Sequence, residues 1–195
     1  MLANPLLPLA ADRRNDLIDH FLALPKDDLH LRFGHTLSLP SIEAYVDDMD
    51  FKEDGIFGVV DSDLRLVGVA HIALLSAAAE FGVSVAPSYR GRGLGRALFE
   101  RAITFSRNHH VDSLFVHCLA ENKAMLHIAR SAGMRVMHES GEVDAWLSLR
   151  PRDSSTLTEA YLQNRAALFD FALKSQVLAT RKIASAFIRP RCAVD

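Results

Sequence analysis

The chain has 195 residues, 49% apolar and 24% charged, the balance of a folded protein rather than a disordered one. Its formal net charge of −2 leaves no global basic field to recruit nucleic acid or an anionic membrane. Two cysteines, Cys118 and Cys192, are too few for a disulfide framework or a zinc site of their own, and they point to a reducing compartment.

The length fits one domain with a short appendage. Residues 1–11 are apolar but lack the basic start of a secretory leader. The stretch 66–79 contains Gly68, His71 and Ser76 and is too short and mixed to span a bilayer. A cytoplasmic protein without membrane attachment is the expectation. No repeat or low-complexity segment interrupts the chain.

Residues 13–24 carry Leu17, Ile18, Phe21, Leu22 and Leu24 on one helical face, with Asp12 as candidate N-cap and Pro25 as terminator. A second helix is expected over 41–49, capped by Ser38 or Ser41, with Ile42, Tyr45, Val46 and Met49 as its apolar stripe. The period then changes. Residues 56–60 and 66–74 read as two strands of a hairpin around the turn Asp61-Ser62-Asp63. Residues 79–86 alternate as a third strand, ended by Pro87. A helix over 93–109, a strand over 113–119, and a helix over 122–132 closed by Gly133 follow. Residues 134–138 and 143–149 complete the pattern as strands. The order is that of a mixed α/β sheet with at least one parallel crossover. A boundary falls near Pro151, dividing residues 1–150 from a helical extension over 151–195. That extension is helical over 156–182 and ends by Pro190. A lone helix of this kind is unstable, so it must pack on its own domain, on a second copy as a homodimer, or on another protein.

The most informative segment is Arg90-Gly91-Arg92-Gly93-Leu94-Gly95-Arg96, between a strand and a helix. Glycines let main chain approach a ligand. Unpaired N–H groups at a helix start, with the helix dipole and three arginines, make a site for phosphate or diphosphate. The segment is not a P-loop, because Arg96-Ala97 stands where Lys-Ser/Thr is needed. It is not a dinucleotide fingerprint either, since the third glycine is missing in both registers.

Arg90-x-x-Gly93-x-Gly95 resembles the Arg/Gln-x-x-Gly-x-Gly/Ala signature of the GCN5-related N-acetyltransferase (GNAT) family. The preceding Phe81-Gly82-Val83-Ser84-Val85-Ala86-Pro87 is similar to that family's fourth strand. Asn122 through Gly133-Met134 resembles its asparagine-led helix, with Met134 in place of the usual Phe. The resemblance covers residues 12–149 and leaves the C-terminal helix outside the common core. Within the family it looks similar to stand-alone domains related to bacterial protein-lysine acetylases.

The resemblance implies an α/β GNAT fold whose mixed sheet contains two splayed parallel strands, here 79–86 and 113–119. It implies acetyl-coenzyme A (acetyl-CoA) as co-substrate and no metal. The main chain of Val83, Ser84 and Val85 would pair with the pantetheine amides. Gly91, Arg92, Gly93, Leu94, Gly95 and Arg96, following Arg90, would hold the diphosphate. Asn122 would contact the coenzyme arm. The reaction would be direct attack of a neutral amine on the thioester, so a base is needed, because alkylamines are mostly cationic at neutral pH. Glu80 and His117 are the candidates, and His71 is a further cleft-lining candidate. The family's frequent acidic Tyr has Ala129 in its place. Cys118 follows His117 but faces the other side of its strand, as a small core residue.

The acceptor implied is a small-molecule amine or a protein lysine. The acidic stretch from Asp47 to Asp54 either draws such a cation or is a solvated loop. A different class of function also fits these residues: a non-catalytic acyl-CoA-binding regulator whose C-terminal helix contacts a partner.

Overall fold

The structure, a computed structural model, describes residues 5–188. Cys192 and Pro190 lie outside the described residues. Seven strands form one sheet in the order β1-β2-β3-β4-β5-β7-β6. They are β1 (Leu7–Pro8), β2 (Gly55–Val60), β3 (Leu66–Leu74), β4 (Ala78–Val85), β5 (Ser113–Leu119), β6 (Arg135–Glu139) and β7 (Glu142–Ser148). β4 and β5 are parallel and every other neighbouring pair is antiparallel. The helices are α1 (Arg14–Leu22), α2 (Lys26–Phe33), α3 (Leu39–Asp47), α4 (Leu94–Asn108), α5 (Lys123–Ser131) and α6 (Ser154–Ile188).

Strand alternation decides which residues face each layer. On β4, Ala79 and Phe81 point toward α4, where Phe81 meets Phe99 edge to face at 5.2 Å. Glu80, Gly82 and Ser84 point to the opposite face, toward α1 and α2. One core joins the sheet to α4 and α5 through residues such as Leu98, Leu114 and Val116. A second joins it to α1 and α3 through Leu17, Phe21, Ile42 and Val46. Each fully buried side chain of this size contributes about 1.5–3 kcal/mol.

The hairpin, the crossover helix α4 and the last two strands match the sequence expectation closely. Three elements differ. α2 is a helix where the sequence suggested only a break at Pro25. Pro25 is its N-cap, Asp27 and Asp28 stand in its first turn, and Gly34 closes it in the left-handed region at φ 76°. It buries only Leu29, so it has almost no apolar stripe to betray it. β1 is two residues long and exists because Leu7 and Pro8 pair with Gly58 and Phe57. Asp12 does not cap α1: a 3-10 turn over Ala11–Arg13 moves the cap position to Arg13, which makes no side-chain cap bond. At α3, Ser38 is the cap, accepting from Ser41 N–H.

α6 is one helix of 35 residues, about 52 Å long at 1.5 Å per residue. Asp153 caps it, accepting from Thr156 N–H at 3.0 Å, and hydrogen bonds from Ser155 and Thr156 hold its carboxyl down to about 2. The helix packs on α4 and β1, burying Ala167 and Thr156. Arg101 of α4 donates to Gln163 and Asn164, and Lys174 donates to the Val60 carbonyl at 3.0 Å. These contacts are all with its own domain. Its outer face leaves Tyr161, Leu162, Phe169 and Ile183 exposed.

Candidate active site: a fork in the sheet

β4 and β5 pair only at Ala78–Ser113, Ala79–Leu114 and Glu80–Phe115. Beyond Glu80 the two strands separate, while β4 stays paired with β3 as far as Val85–Gly68. The β5-facing edge of β4 therefore carries unpaired main-chain groups from Phe81 onward. Such an edge is a template for an extended chain of amides. A cleft of about 650 Å³ opens from this fork. Its walls are α2, residues 83–85 of β4, the turn after β4, and the facing sides of α4 and α5.

The turn is built as the sequence suggested. Gly91 and Gly93 both have left-handed φ values, 71° and 79°, which a side chain strains. The first bond of α4 runs from Ala97 N–H to the Gly93 carbonyl at 3.0 Å. The N–H groups of residues 94–96 thus have no partner inside the helix. Gly95 faces Ile128 of α5 so closely that a Cβ would sit 3.2 Å from its Cδ1. Gly91, Gly93, Leu94, Gly95 and Arg96 all line the cleft with Arg90.

The arginines of the turn are bound to the protein's own groups. Arg90 donates to the Val85 carbonyl at 3.0 Å and pairs with Asp28 of α2. Arg92, unlike the rest of the turn, does not line the cleft: it donates to the Ser88 carbonyl and lies over the Tyr89 ring. Arg96 pairs with Glu100 one turn along α4. Val83, Ser84 and Val85 line the cleft. The Ser84 hydroxyl is turned away to His20, 2.8 Å distant, whose Nδ1–H donates to the Leu66 carbonyl. His20 therefore accepts from Ser84, and burial keeps it neutral by lowering its pKa below 6.5. Asn122 also lines the cleft, but its side chain does two fixed jobs. Its oxygen caps α5 through Met125 N–H (3.0 Å), and its nitrogen donates to the Leu31 carbonyl of α2 (3.1 Å).

α2 thus lies across the fork, touching both β4 and β5. Asp28 fastens one end to the turn after β4, through Arg90, and Leu31 fastens the other to α5, through Asn122. Arg32 reaches the floor of the fork: a Cβ on Gly82 would overlap its guanidinium.

Glu80 and His117 sit on the exposed side of the sheet near the closed end of the fork. Neither is among the residues that line the cleft. His117 is not a core histidine. Its Nδ1 lies 2.8 Å from Asp144 and its Nε2 3.7 Å from Glu142 on β7. The hydrogen bond to Asp144 raises its pKa above 6.5. Phe115 stacks on Trp146 beside it, with ring centroids 4.8 Å apart. Cys118 faces the core, as expected.

One constellation went unread in the sequence. Asp54 accepts from His71 Nε2–H at 2.9 Å and from Leu74 N–H at 3.0 Å. His71 Nδ1 accepts from the Tyr45 hydroxyl at 2.9 Å, and Tyr45 accepts from Arg32 at 2.9 Å. Burial pushes the Tyr45 pKa up and the His71 pKa down, so both stand neutral. His71 lies directly opposite Gly82 in the β3–β4 ladder. Of the acidic stretch, Asp54 is thus a buried partner, while Asp47 pairs with Arg14 at the surface.

The sequence matches the acetyltransferase (GNAT) family over residues 24–134. The chain belongs to the GNAT family. A curated relative, spermidine N(1)-acetyltransferase of Vibrio cholerae, is 28% identical over 81 residues, which cover 40% of this chain. The matched stretch spans 47% of that relative, about half its length. The GNAT domain of PAT from S. lividans superposes with a TM-score of 0.64 at 18% identity, over 74% of this chain and 89% of that one. The protein yncA of Salmonella typhimurium, solved with its cofactor acetyl-CoA, gives 0.60 at 16% identity over 76% of this chain and 95% of that one. Both carry the same fold as this GNAT chain. Among its described residues, no helix is long and apolar enough to cross a membrane.

Proposed function

We propose that this GNAT chain is an N-acetyltransferase that moves the acetyl group of acetyl-CoA to the primary amine of a small molecule or a protein lysine by direct attack. The observation that carries the reading is the parting of β4 from β5 beyond Glu80, beside a glycine-rich turn whose residues line the same cleft. The unpaired edge of residues 83–85 suits the amides of a pantetheine arm. The turn over residues 91–96 suits its diphosphate. The yncA neighbour was solved with acetyl-CoA, which supports the same ligand here.

When bound, the thioester supplies an activated acyl carbon. The chain's own residues hold it against β4 and keep the amine neutral. Glu80 and His117 are the proposed bases, both on the exposed face beyond the fork. His117, tied to Asp144, accepts a proton more readily than a free imidazole. The stacked Phe115–Trp146 pair, flanked by Glu80, Glu142 and Asp144, offers a cation a mixed aromatic and acidic surface. The spermidine acetyltransferase relative is consistent with an amine acceptor.

The test is thiol release from acetyl-CoA across a panel of amines and lysine peptides. Turnover with at least one amine is expected, and Glu80→Gln or His117→Ala should move the rise in rate that accompanies deprotonation of the base as pH increases. Tight coenzyme binding with no turnover on any acceptor would instead favour a non-catalytic acyl-CoA-binding regulator.

A further inference from the structure

We infer that Arg32 is a catalytic residue that stabilises the coenzyme thiolate as it leaves, and that Tyr45, His71 and Asp54 are positioning residues that hold it there. The inference rests on the acetyl transfer proposed above. Four observations place the charge.

The first is where a linear coenzyme must end. Its diphosphate end is fixed by the turn after β4, and its arm runs back along residues 85 to 83. Each strand residue covers about 3.3 Å. The strands rejoin at Glu80–Phe115, so the fork closes just past Gly82. The reactive end therefore lies beside Gly82.

The second is what occupies that place. Gly82 leaves its face of β4 bare, and the Arg32 guanidinium fills the space a side chain would take. Arg32 also lines the cleft. A planar cation thus sits on the main chain where the fork closes.

The third is the state of its charge. Of the cleft's other arginines, Arg90 is paired with Asp28 and Arg96 with Glu100. Among the described residues, Arg32 has no carboxylate within ion-pair reach, and its one hydrogen bond goes to the neutral Tyr45 phenol. Glu80, two residues along the same face of β4, and Asp54, behind His71, act on Tyr45 and His71 together with Arg32, but neither pairs with it, so its charge is left for an anion that forms in the fork.

The fourth is the rigidity of its mounting. The Tyr45 hydroxyl can accept from Arg32 because its proton is given to His71 Nδ1. The imidazole keeps its proton on Nε2 because Asp54 accepts it there. Each link sets the polarity of the next. The ring faces of Phe33 and Tyr45 also flank the guanidinium, at 4.8 and 5.8 Å. Without this chain a flexible arginine would spend most of its time in solvent.

In the step itself, the amine nitrogen bonds to the acyl carbon and gives up its proton to a base. The carbon–sulfur bond breaks, and its electron pair leaves on sulfur as CoA thiolate. Arg32 donates no proton. It holds the new anion by charge and by N–H bonds to sulfur.

The decisive experiment titrates the thiol of CoA bound to the full-length protein, followed by thiolate ultraviolet absorbance. Free CoA, titrated alongside, gives the reference midpoint. The bound thiol should carry at least about tenfold more thiolate at a given pH below that midpoint. Arg32→Ala should still bind CoA but return the midpoint to the free value, and it should lower kcat about 100-fold with little change in the KM for acetyl-CoA. Arg32→Lys should fall between, and added guanidinium should restore part of the lost kcat in Arg32→Ala. Tyr45→Phe should shift the midpoint part-way back and gives a second route should Arg32→Ala fold poorly. A wild-type midpoint equal to that of free CoA, or one unmoved in Arg32→Ala, overturns the inference alone. Failure of CoA to bind the wild type overturns the proposed function and this inference with it.

Discussion

Replacing Gly93 by alanine separates backbone strain from ligand binding. Gly93 has φ 79°, and a Cβ built on it meets nothing within 4 Å. The whole penalty is therefore conformational, about 1–2 kcal/mol for an L-residue in the left-handed region. For a chain of this size that lowers Tm by about 2–8 °C. Gly141, in the β6–β7 turn, has φ 92° and equally open surroundings, so Gly141→Ala carries a comparable strain far from the cleft. The two variants should lose similar stability when no ligand is present. They should differ once CoA is added. At about one hundred times Kd, a ligand adds about 2.7 kcal/mol. If the turn holds a diphosphate as proposed, relief of strain at Gly93 would misalign the N–H groups of residues 94–96 toward it. A tenfold weaker site would forfeit about 1.4 kcal/mol of that gain. The assay is thermal unfolding with and without CoA. An identical CoA-dependent rise in Gly93→Ala and Gly141→Ala would refute the assignment of this turn to the diphosphate.

Acid should destabilise the fold through His20 and His71: burial lowers both pKa values below 6.5, so below that pH the unfolded chain binds protons the native state refuses. The urea midpoint should fall between about pH 7 and about pH 5, and His20→Gln should flatten the slope; His117, raised by Asp144, acts in the opposite sense but weakly, being half exposed. Ending the chain at residue 150 should lower Tm by several degrees, because it uncovers the surface under Ala167 and Phe171 and unpairs the Arg101 guanidinium; an unchanged Tm would show that α6 is not part of the folding unit.

Much of this architecture is written in short-range pattern. The alternation of Phe81, Val83 and Val85, the glycines at 91, 93 and 95, and the asparagine cap of α5 each declare themselves within a dozen residues. The cleft was legible for the same reason, since its turn and its β4 wall are continuous in the chain. α2 was not legible, because a helix that buries one leucine has no periodicity to read, although Pro25, the acidic first turn and Gly34 mark its ends. Nor was the linkage of Asp54, His71, Tyr45 and Arg32, whose members come from four separate segments and meet only through tertiary packing. Asp54 looked like one of several solvated acids, and only its burial beside His71 distinguishes it. Arg32 carried no signal except a glycine fifty residues away that exists to leave it room.

α2, laid across the diverging strands and fastened at both ends, has a kinetic consequence. In the proposed function it would stand between a coenzyme in the cleft lined by α4 and α5 and an acceptor on the face that holds Trp146. Reactants arriving by separate doors can be present together without either obstructing the other's exit. For the proposed transfer, such a layout would favour a ternary complex and an unhurried order of release, and it would let an acceptor side diversify while a coenzyme side stays as it is.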